Sequence, residues 1–121
     1  MLRVEIDSAP PQVVLFCSGR IVLGVEAETL RCMAISRTEP QIVLDLREVH
    51  TMDAAGLGLL MELHCWALQR GRMLRLTNPS SPIRRLLALT RLESVFEITR
   101  DESIAPSVVV EDHVLRQAMT A

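Results

Sequence analysis

The sequence is poor in aromatic residues. It contains no tyrosine, one tryptophan and two phenylalanines among 121 residues. Proteins that hold single-stranded nucleic acid stack the bases on aromatic side chains. The 13 basic residues are scattered along the chain and are outnumbered by 15 acidic ones, which leaves a net charge of -2. Without stacking residues or a basic segment, nucleic acid is not an expected partner.

Cysteine is also scarce, and its spacing is uninformative for metal or disulfide chemistry. Cys17, Cys32 and Cys65 are odd in number and far apart in sequence. They fit neither a disulfide framework nor the close pairs that ligate zinc. Because each lies among apolar residues, we predict buried thiols in a protein of a reducing compartment.

Long apolar runs are absent. The longest apolar region, Leu57 to Leu68, is interrupted by Glu62 and His64 and falls short of the roughly 20 residues that span a bilayer. The first residues carry charges where a signal peptide needs an apolar stretch. The sequence therefore predicts a soluble, cytoplasmic protein with no membrane insertion.

What the sequence does contain is enough apolar material for one core. A chain of 121 residues and 13.5 kDa, with 49% hydrophobic residues, is the size of one domain. We therefore predict a single domain over residues 1–121.

Apolar residues recur with the periods of strands and helices in alternation. The run Ile42 to Leu44 followed by Leu46 is typical of a strand in the middle of a sheet. Asp53 and Ser81 are predicted helix N-caps. Strands are predicted at residues 2–7, 12–18, 41–49, 73–76 and 94–99, and helices at Val25–Arg37, Ala54–Gln69, residues 82–90 and around Val110, Val114, Leu115 and Ala118.

This order predicts an α/β (α+β-like) domain. Right-handed crossovers make the later strands parallel, with the helices packed against the sheet. The expected architecture is a mixed, mostly parallel sheet of about five strands with about four helices.

The residues of a nucleotide, metal or catalytic site are missing. Gly56 and Gly58 open a helix but lack the rest of a phosphate-binding loop or dinucleotide fingerprint. His50, His64 and His113 have no cysteine or carboxylate at ligand spacing. We therefore predict no metal and no cofactor.

No nucleophile can be assigned either. Ser36, Ser80 and Ser81 lack a nucleophile-elbow context, and Cys65 lies inside a helix where a thiolate is poorly stabilised. Asp45 is interpreted as a structural carboxylate at a strand edge, and Asp53 as a structural carboxylate that caps a helix. The sequence predicts that the protein is not an enzyme.

The stretch from Ile42 to Ile98 resembles the STAS domain, the fold of bacterial anti-sigma-factor antagonists and of the cytoplasmic tail of sulfate transporters. With the upstream Gly19-Arg20-Ile21, the resemblance covers nearly the whole chain. The motif residues are Asp45-Leu46, Asp53, Gly56-Leu57-Gly58, Gly71, Leu86-Leu87, Thr90-Arg91-Leu92 and Phe96.

The resemblance implies a phosphorylation switch that this chain lacks. In the family, a serine after the N-cap aspartate is phosphorylated by an anti-sigma factor that is also a kinase, and the added charge breaks the complex. Here Ala54 and Ala55 stand at those positions and offer no hydroxyl. The loop Gly19 to Gly24 also lacks the acidic residue that many phosphorylated members carry. We interpret Ala54 and Ala55 as a degenerate phosphosite, although alanines also simply favour a helix start.

The second predicted helix is apolar on more than one side. Leu57, Leu60, Met61, Ala67 and Leu68 follow the spacing of a face on the sheet, while Leu59, Leu63 and Trp66 form a second stripe. That stripe is either a binding surface or is covered by neighbouring helices. The predicted partner-binding residues are Asp53, Gly56, Leu57, Gly58, Leu59, Leu63 and Trp66.

The leading hypothesis is a non-catalytic interaction module that antagonises an anti-sigma factor of the histidine-kinase-like ATPase fold, as the resemblance implies. Such a protein regulates transcription in bacterial signal transduction and is insensitive to phosphorylation at position 54. An alternative is a scaffold subunit of a signalling assembly or transporter complex, which would self-associate as a homodimer or larger oligomer. The third hypothesis is an enzyme or small-ligand receptor that uses Asp45 and Asp53.

Overall fold

The structure is a computed structural model, and residues 1–100 are described here. The predicted final helix around Val110, Val114, Leu115 and Ala118 lies outside the described residues.

The chain begins with an antiparallel hairpin. Strand β1 (Leu2–Ala9) pairs with β2 (Gln12–Ile21), and Ala9 lies opposite Gln12 across the turn. The prediction that these two strands are neighbours is confirmed. Both run two or three residues further than the sequence pattern indicated.

The rest of the described chain alternates helices with parallel strands. Helix α1 (Val25–Ile35) leads to β3 (Gln41–Met52), α2 (Ala54–Gln69) to β4 (Met73–Thr77), and α3 (Ser81–Leu89) to β5 (Glu97–Thr99). The five strands lie in the order β1-β2-β3-β4-β5, with β2 to β5 parallel and β3 in the middle. The predicted fold class and mostly parallel sheet are confirmed.

Two local predictions are wrong by a few residues. The strand predicted at 94–99 is shorter, because Leu92–Ser94 form a short 3₁₀ turn entered through Arg91 in a left-handed conformation (φ 60°). The N-cap of α3 is Ser80 rather than Ser81, with Pro82 in the first turn. Helix ends of this kind are the least certain part of a pattern-based prediction.

One face of the sheet carries the main core. Side chains alternate between the two faces of a strand, so Val13 and Leu15 point toward the helices while Val14 and Phe16 point away and cluster with Val43. The helices contribute the other side of the main core. Its fully buried large side chains are Leu15, Ile21, Leu30, Ile42, Leu44, Leu46, Leu59, Leu60, Leu63, Leu76, Ile83 and Leu87.

The three cysteines do not share one environment. Cys17 is buried in β2, and burial together with the nearby Asp45 charge raises its pKa to about 12. Cys32 and Cys65 are exposed on α1 and α2. The prediction of buried thiols is therefore correct for one cysteine and wrong for two, because a thiol among apolar residues on a helix can still lie on its outer side.

Within residues 1–100, no helix has the length and apolar character required to cross a bilayer. The same residues contain no group of three or more His, Cys, Asp or Glu side chains placed to share a metal ion.

Candidate functional site at the start of helix α2

Asp53 fastens two parts of the chain together. One carboxylate oxygen, Oδ1, accepts the backbone N–H of Gly56 at 2.8 Å, which is the predicted N-cap of α2. The other oxygen, Oδ2, accepts the backbone N–H of Leu23 at 3.0 Å, in the loop between β2 and α1. The loop and the helix start, 30 residues apart in sequence, therefore form one continuous surface.

These hydrogen bonds favour the ionised carboxylate. The bond from Leu23 is the largest cause and the bond from Gly56 the second, and together they hold the pKa of Asp53 below its ordinary value. Asp53 is itself exposed. The helix start is thus capped by a permanent negative charge at neutral pH.

The surface around Asp53 consists of apolar residues and of residues with little or no side chain. Leu23 is 76% exposed and Val25 is 78% exposed, and both lie in or directly after the fastened loop. Ala54, the first residue of α2, is exposed, and Gly58 is exposed one turn further along the same helix face. We call Leu23, Val25, Asp53, Ala54 and Gly58 the α2-start surface.

The two glycines of the motif have different roles. A Cβ atom at Gly56 would lie 2.2 Å from the carbonyl oxygen of Ile21 and 2.6 Å from Cγ of Met52. Gly56 therefore lets α2 approach the end of β2, and it is buried. A Cβ atom at Gly58 would meet nothing within 4 Å. Gly58 instead keeps the exposed face of the helix flat.

The only cation in the loop 19–24 is already paired. Arg20 lies 3.5 Å from the carboxylate of Glu26, in the first turn of α1. This carboxylate partly offsets the charge of Arg20, since the same oxygen also contacts the N-terminal ammonium at 3.1 Å. The exposed residues of the loop are therefore Arg20 and the apolar Leu23 beside Gly19 and Gly24.

Of the two interpretations of the second stripe of α2, a binding surface or a covered face, the covered face is correct for Leu59 and Leu63. Leu59 and Leu63 are 2% and 0% exposed and belong to the main core, so in this structure they cannot contact a partner. The buried residues of α2 follow one stripe at helical spacing: Gly56, Leu59, Leu60, Leu63 and Ala67. Leu68, expected on the sheet, is 63% exposed.

Of the other predicted partner-binding residues, Gly56 is buried, whereas Asp53, Leu57, Gly58 and Trp66 are at least partly accessible. Leu57 is half-buried against the core. Trp66, also half-buried, lies near the end of α2 under the guanidinium groups of Arg70 and Arg72, at 5.2 and 5.3 Å from its ring. Trp66 is more than three helical turns away from Asp53, so it belongs to a separate region rather than to the α2-start surface.

Asp45 is a buried structural carboxylate rather than a strand-edge one. It is 1% exposed. Its oxygens accept hydrogen bonds from the side chain and backbone N–H of Arg47, at 3.0 to 3.2 Å. They also accept from the side-chain amide of Asn78 at 3.2 Å. Asp45 therefore orients an arginine and an asparagine at one edge of the sheet.

Comparison with known proteins agrees with this fold. The family model described as "Mlab, STAS domain" matches residues 25–99, from α1 to β5. A putative anti-sigma factor antagonist from Thermotoga maritima is 19% identical, with a TM-score of 0.74 over 83% of this chain and 88% of that one. An anti-sigma factor antagonist from Mycobacterium paratuberculosis is 21% identical, with a TM-score of 0.73 over 85% and 89%.

A third structural relative comes from another functional context. A sulfate transporter family protein from Wolinella succinogenes is 21% identical and has a TM-score of 0.66 over 75% of this chain and 78% of that one. At these identities the three likenesses establish a common fold.

Proposed function

The chain belongs to the STAS domain family, and from this premise we propose that it is a non-catalytic anti-sigma-factor antagonist that acts by binding a protein partner in the bacterial cytoplasm. The observation that carries this proposal is the α2-start surface. Asp53 fixes its shape through two backbone N–H groups, and the other exposed side chains of this surface are apolar. Two anti-sigma factor antagonists share the fold that presents it.

The proposed partner is an anti-sigma factor of the histidine-kinase-like ATPase fold, the partner that the family resemblance implies. Leu23 and Val25 supply apolar area at the edge of the surface, and Gly58 keeps its middle low. A partner can therefore approach the backbone of α2 closely. Burial of exposed apolar side chains at the centre of an interface is the usual source of affinity.

The proposed complex is insensitive to phosphorylation at the helix start. Ala54 and Ala55 have no hydroxyl to modify. The exposed hydroxyl that precedes them, Thr51, lies on β3 before the Asp53 cap, so a phosphate there would not sit at the helix N-terminus. Control of this complex therefore has to act on something other than the usual serine position.

A charge at position 54 tests the surface. We expect Ala54→Glu to weaken binding of the anti-sigma ATPase at least about tenfold, because a carboxylate would be buried without a partner. Isothermal titration calorimetry measures the affinity. Ala88→Glu is the matched control, since Ala88 is an exposed alanine of α3. Equal losses in the two variants, or no loss in either, would place the interface elsewhere.

A hydroxyl at position 54 tests the missing switch. We expect the wild-type chain to take up no phosphate from the partner and ATP, while Ala54→Ser is phosphorylated and then released. Intact-mass spectrometry follows the modification, and pulldown follows the release. Phosphate on wild-type Thr51 that also releases the partner would refute the proposed insensitivity.

A second candidate function is a scaffold subunit of a transporter complex. The structural likeness to a sulfate transporter family protein favours it, as do Leu68 and Leu89, which are 63% and 76% exposed outside the α2-start surface. Size-exclusion chromatography with light scattering separates the two functions, because a scaffold is expected to self-associate. Affinity capture that recovers transporter subunits and no ATPase of the anti-sigma class would favour the scaffold.

A further inference from the structure

A basic groove lies at the edge of the sheet formed by β3, β4 and β5. It has a volume of about 340 Å³ and is lined by Arg47, Asn78, Pro79, Ser80, Ser81, Arg84 and Arg100. None of these residues is acidic, and three are arginines. The groove shares no residue with the α2-start surface.

The register of the parallel strands explains why these residues meet. Asp45, Thr77 and Thr99 lie side by side in β3, β4 and β5. Arg47 comes just after this row in β3, Asn78 follows β4, and Arg100 follows β5. Ligands of open α/β sheets bind in the crevice outside the carboxyl ends of parallel strands. The groove lies at that place.

Its floor is held in position by hydrogen bonds. Buried Asp45 binds the guanidinium of Arg47 and the amide of Asn78. The backbone N–H of Asn78 donates to the carbonyl of Thr99 at 2.8 Å, which ties the ends of β4 and β5 together. The side chain of Arg47 is therefore held in one orientation before any ligand binds, which lowers the entropic cost of binding.

Among residues 1–100, the charge of the groove is positive and only partly compensated. Asp45 offsets the charge of Arg47. Arg84 and Arg100 are exposed and make no ion pair within residues 1–100. Every basic residue of this chain is arginine and none is lysine, and the planar guanidinium suits two-point binding of phosphate oxygens.

The first turn of α3 adds hydrogen-bond donors. The hydroxyl of Ser80 donates to the carbonyl of Val49 and does not cap the helix. The free backbone N–H groups of the first turn, next to the hydroxyl of Ser81, are therefore left for an outside acceptor.

From the groove and its arginines, we infer that the protein binds a phosphate group at the carboxyl edge of β3 to β5, as inorganic phosphate or as a small phosphate monoester. The dianion carries a charge of about -1.5 to -2, which matches the charge of Arg84 and Arg100, the two lining arginines that make no ion pair within residues 1–100. Apart from Pro79 the lining is polar, so the site recognises the phosphate rather than an apolar or aromatic moiety. This site is independent of the proposed antagonist function.

NMR titration of the full chain tests the inference. Inorganic phosphate and glycerol 3-phosphate are added in separate titrations at constant ionic strength, because salt screens weak charge effects. We expect saturable shifts of the amides of Asn78, Ser81 and Ile83 and of the Arg84 side chain. Tighter binding of glycerol 3-phosphate would assign the site to an ester, and equal binding would assign it to phosphate itself.

A matched pair of variants separates the groove from general surface charge. Arg84→Gln should weaken binding at least about fivefold, because it removes charge-assisted hydrogen bonds. Arg85→Gln should leave the affinity unchanged, since exposed Arg85 is the next residue on α3 and does not line the groove. Non-saturating shifts, or equal losses in the two variants, would overturn the inference. Both substitutions are on the exposed side of α3, and thermal melts check that the variants remain folded.

Discussion

The starts of α2 and α3 are equivalent places in the fold with different chemistry. Each helix follows a parallel strand, β3 or β4, at the same edge of the sheet. At α2 the Asp53 carboxylate accepts a free N–H of the first turn. At α3 the Ser80 hydroxyl binds the carbonyl of Val49, and no side chain caps the helix. The cap residue therefore decides whether a helix start is already satisfied or is left for a ligand.

The surroundings strengthen the contrast. Leu23 and Val25 make the surface at the start of α2 apolar, so it suits contact with a protein. Arg84 and Arg100 make the groove at the start of α3 cationic, so it suits a small anion. One sheet edge thus carries two different surfaces. Substitutions in the α2-start surface should leave the structure of the groove unchanged, and the reverse should also hold.

The largest effect is expected at the α3 side. Asp45→Ala should lower the free energy of unfolding by about 3 kcal/mol, because it removes the buried acceptor that the half-buried Arg47 and the amide of Asn78 share. Urea denaturation measures the loss. In native buffer the amide of Asn78 should shift while that of Leu23 stays in place. A loss below about 1 kcal/mol would mean that water replaces the carboxylate at little cost.

The next effect separates the two glycines of α2. Gly56→Ala should destabilise the protein by about 2 kcal/mol, because its Cβ atom would overlap the carbonyl oxygen of Ile21. Gly58→Ala is the matched control and should stabilise it by about 0.5 to 1 kcal/mol, since alanine favours an exposed helix position. Thermal and urea unfolding measure both. Changes of the same sign would show that close approach to β2 is not what requires Gly56.

The smallest effect concerns the pH dependence of the Asp53 cap. The pKa of Asp53 is lower in the folded protein than its ordinary value of 3.8. Its contribution to stability is therefore complete above the ordinary pKa and is lost as the pH falls through the lower folded value. The amides of Leu23 and Gly56 should titrate together with one midpoint below 3.8. Asp53→Asn should abolish this shared titration, and separate midpoints would contradict a common acceptor.

Local patterns were sufficient for much of the fold. The continuous apolar run of β3, the turn between β1 and β2, and the Asp53 cap each depend on neighbouring residues. Helical spacing alone did not decide which side of an apolar helix is buried. Leu59 and Leu63 are in the core, whereas Leu68 is exposed, and this choice depends on how α2 packs against the rest of the chain, including the close approach of Gly56 to the end of β2.

Contacts between distant residues could not be predicted from the pattern. The bond from Leu23 to Asp53 spans 30 residues. The groove requires the ends of three strands to align, and that alignment depends on the register of β3, β4 and β5. Arg47, Arg84 and Arg100 therefore looked like scattered surface charges in the sequence. Charge clusters of this kind become visible only when the strands are placed side by side.

The two hydrogen bonds accepted by Asp53 have a consequence for how such a protein can evolve. Their donors are the backbone N–H groups of Leu23 and Gly56, so the bonds do not involve the side chain of residue 54. Alanine and serine codons differ by one nucleotide. A single mutation from alanine to serine at position 54 would therefore add the hydroxyl that the proposed switch needs, while the proposed docking surface keeps its shape. In such a protein, partner binding and its control by phosphorylation can evolve separately.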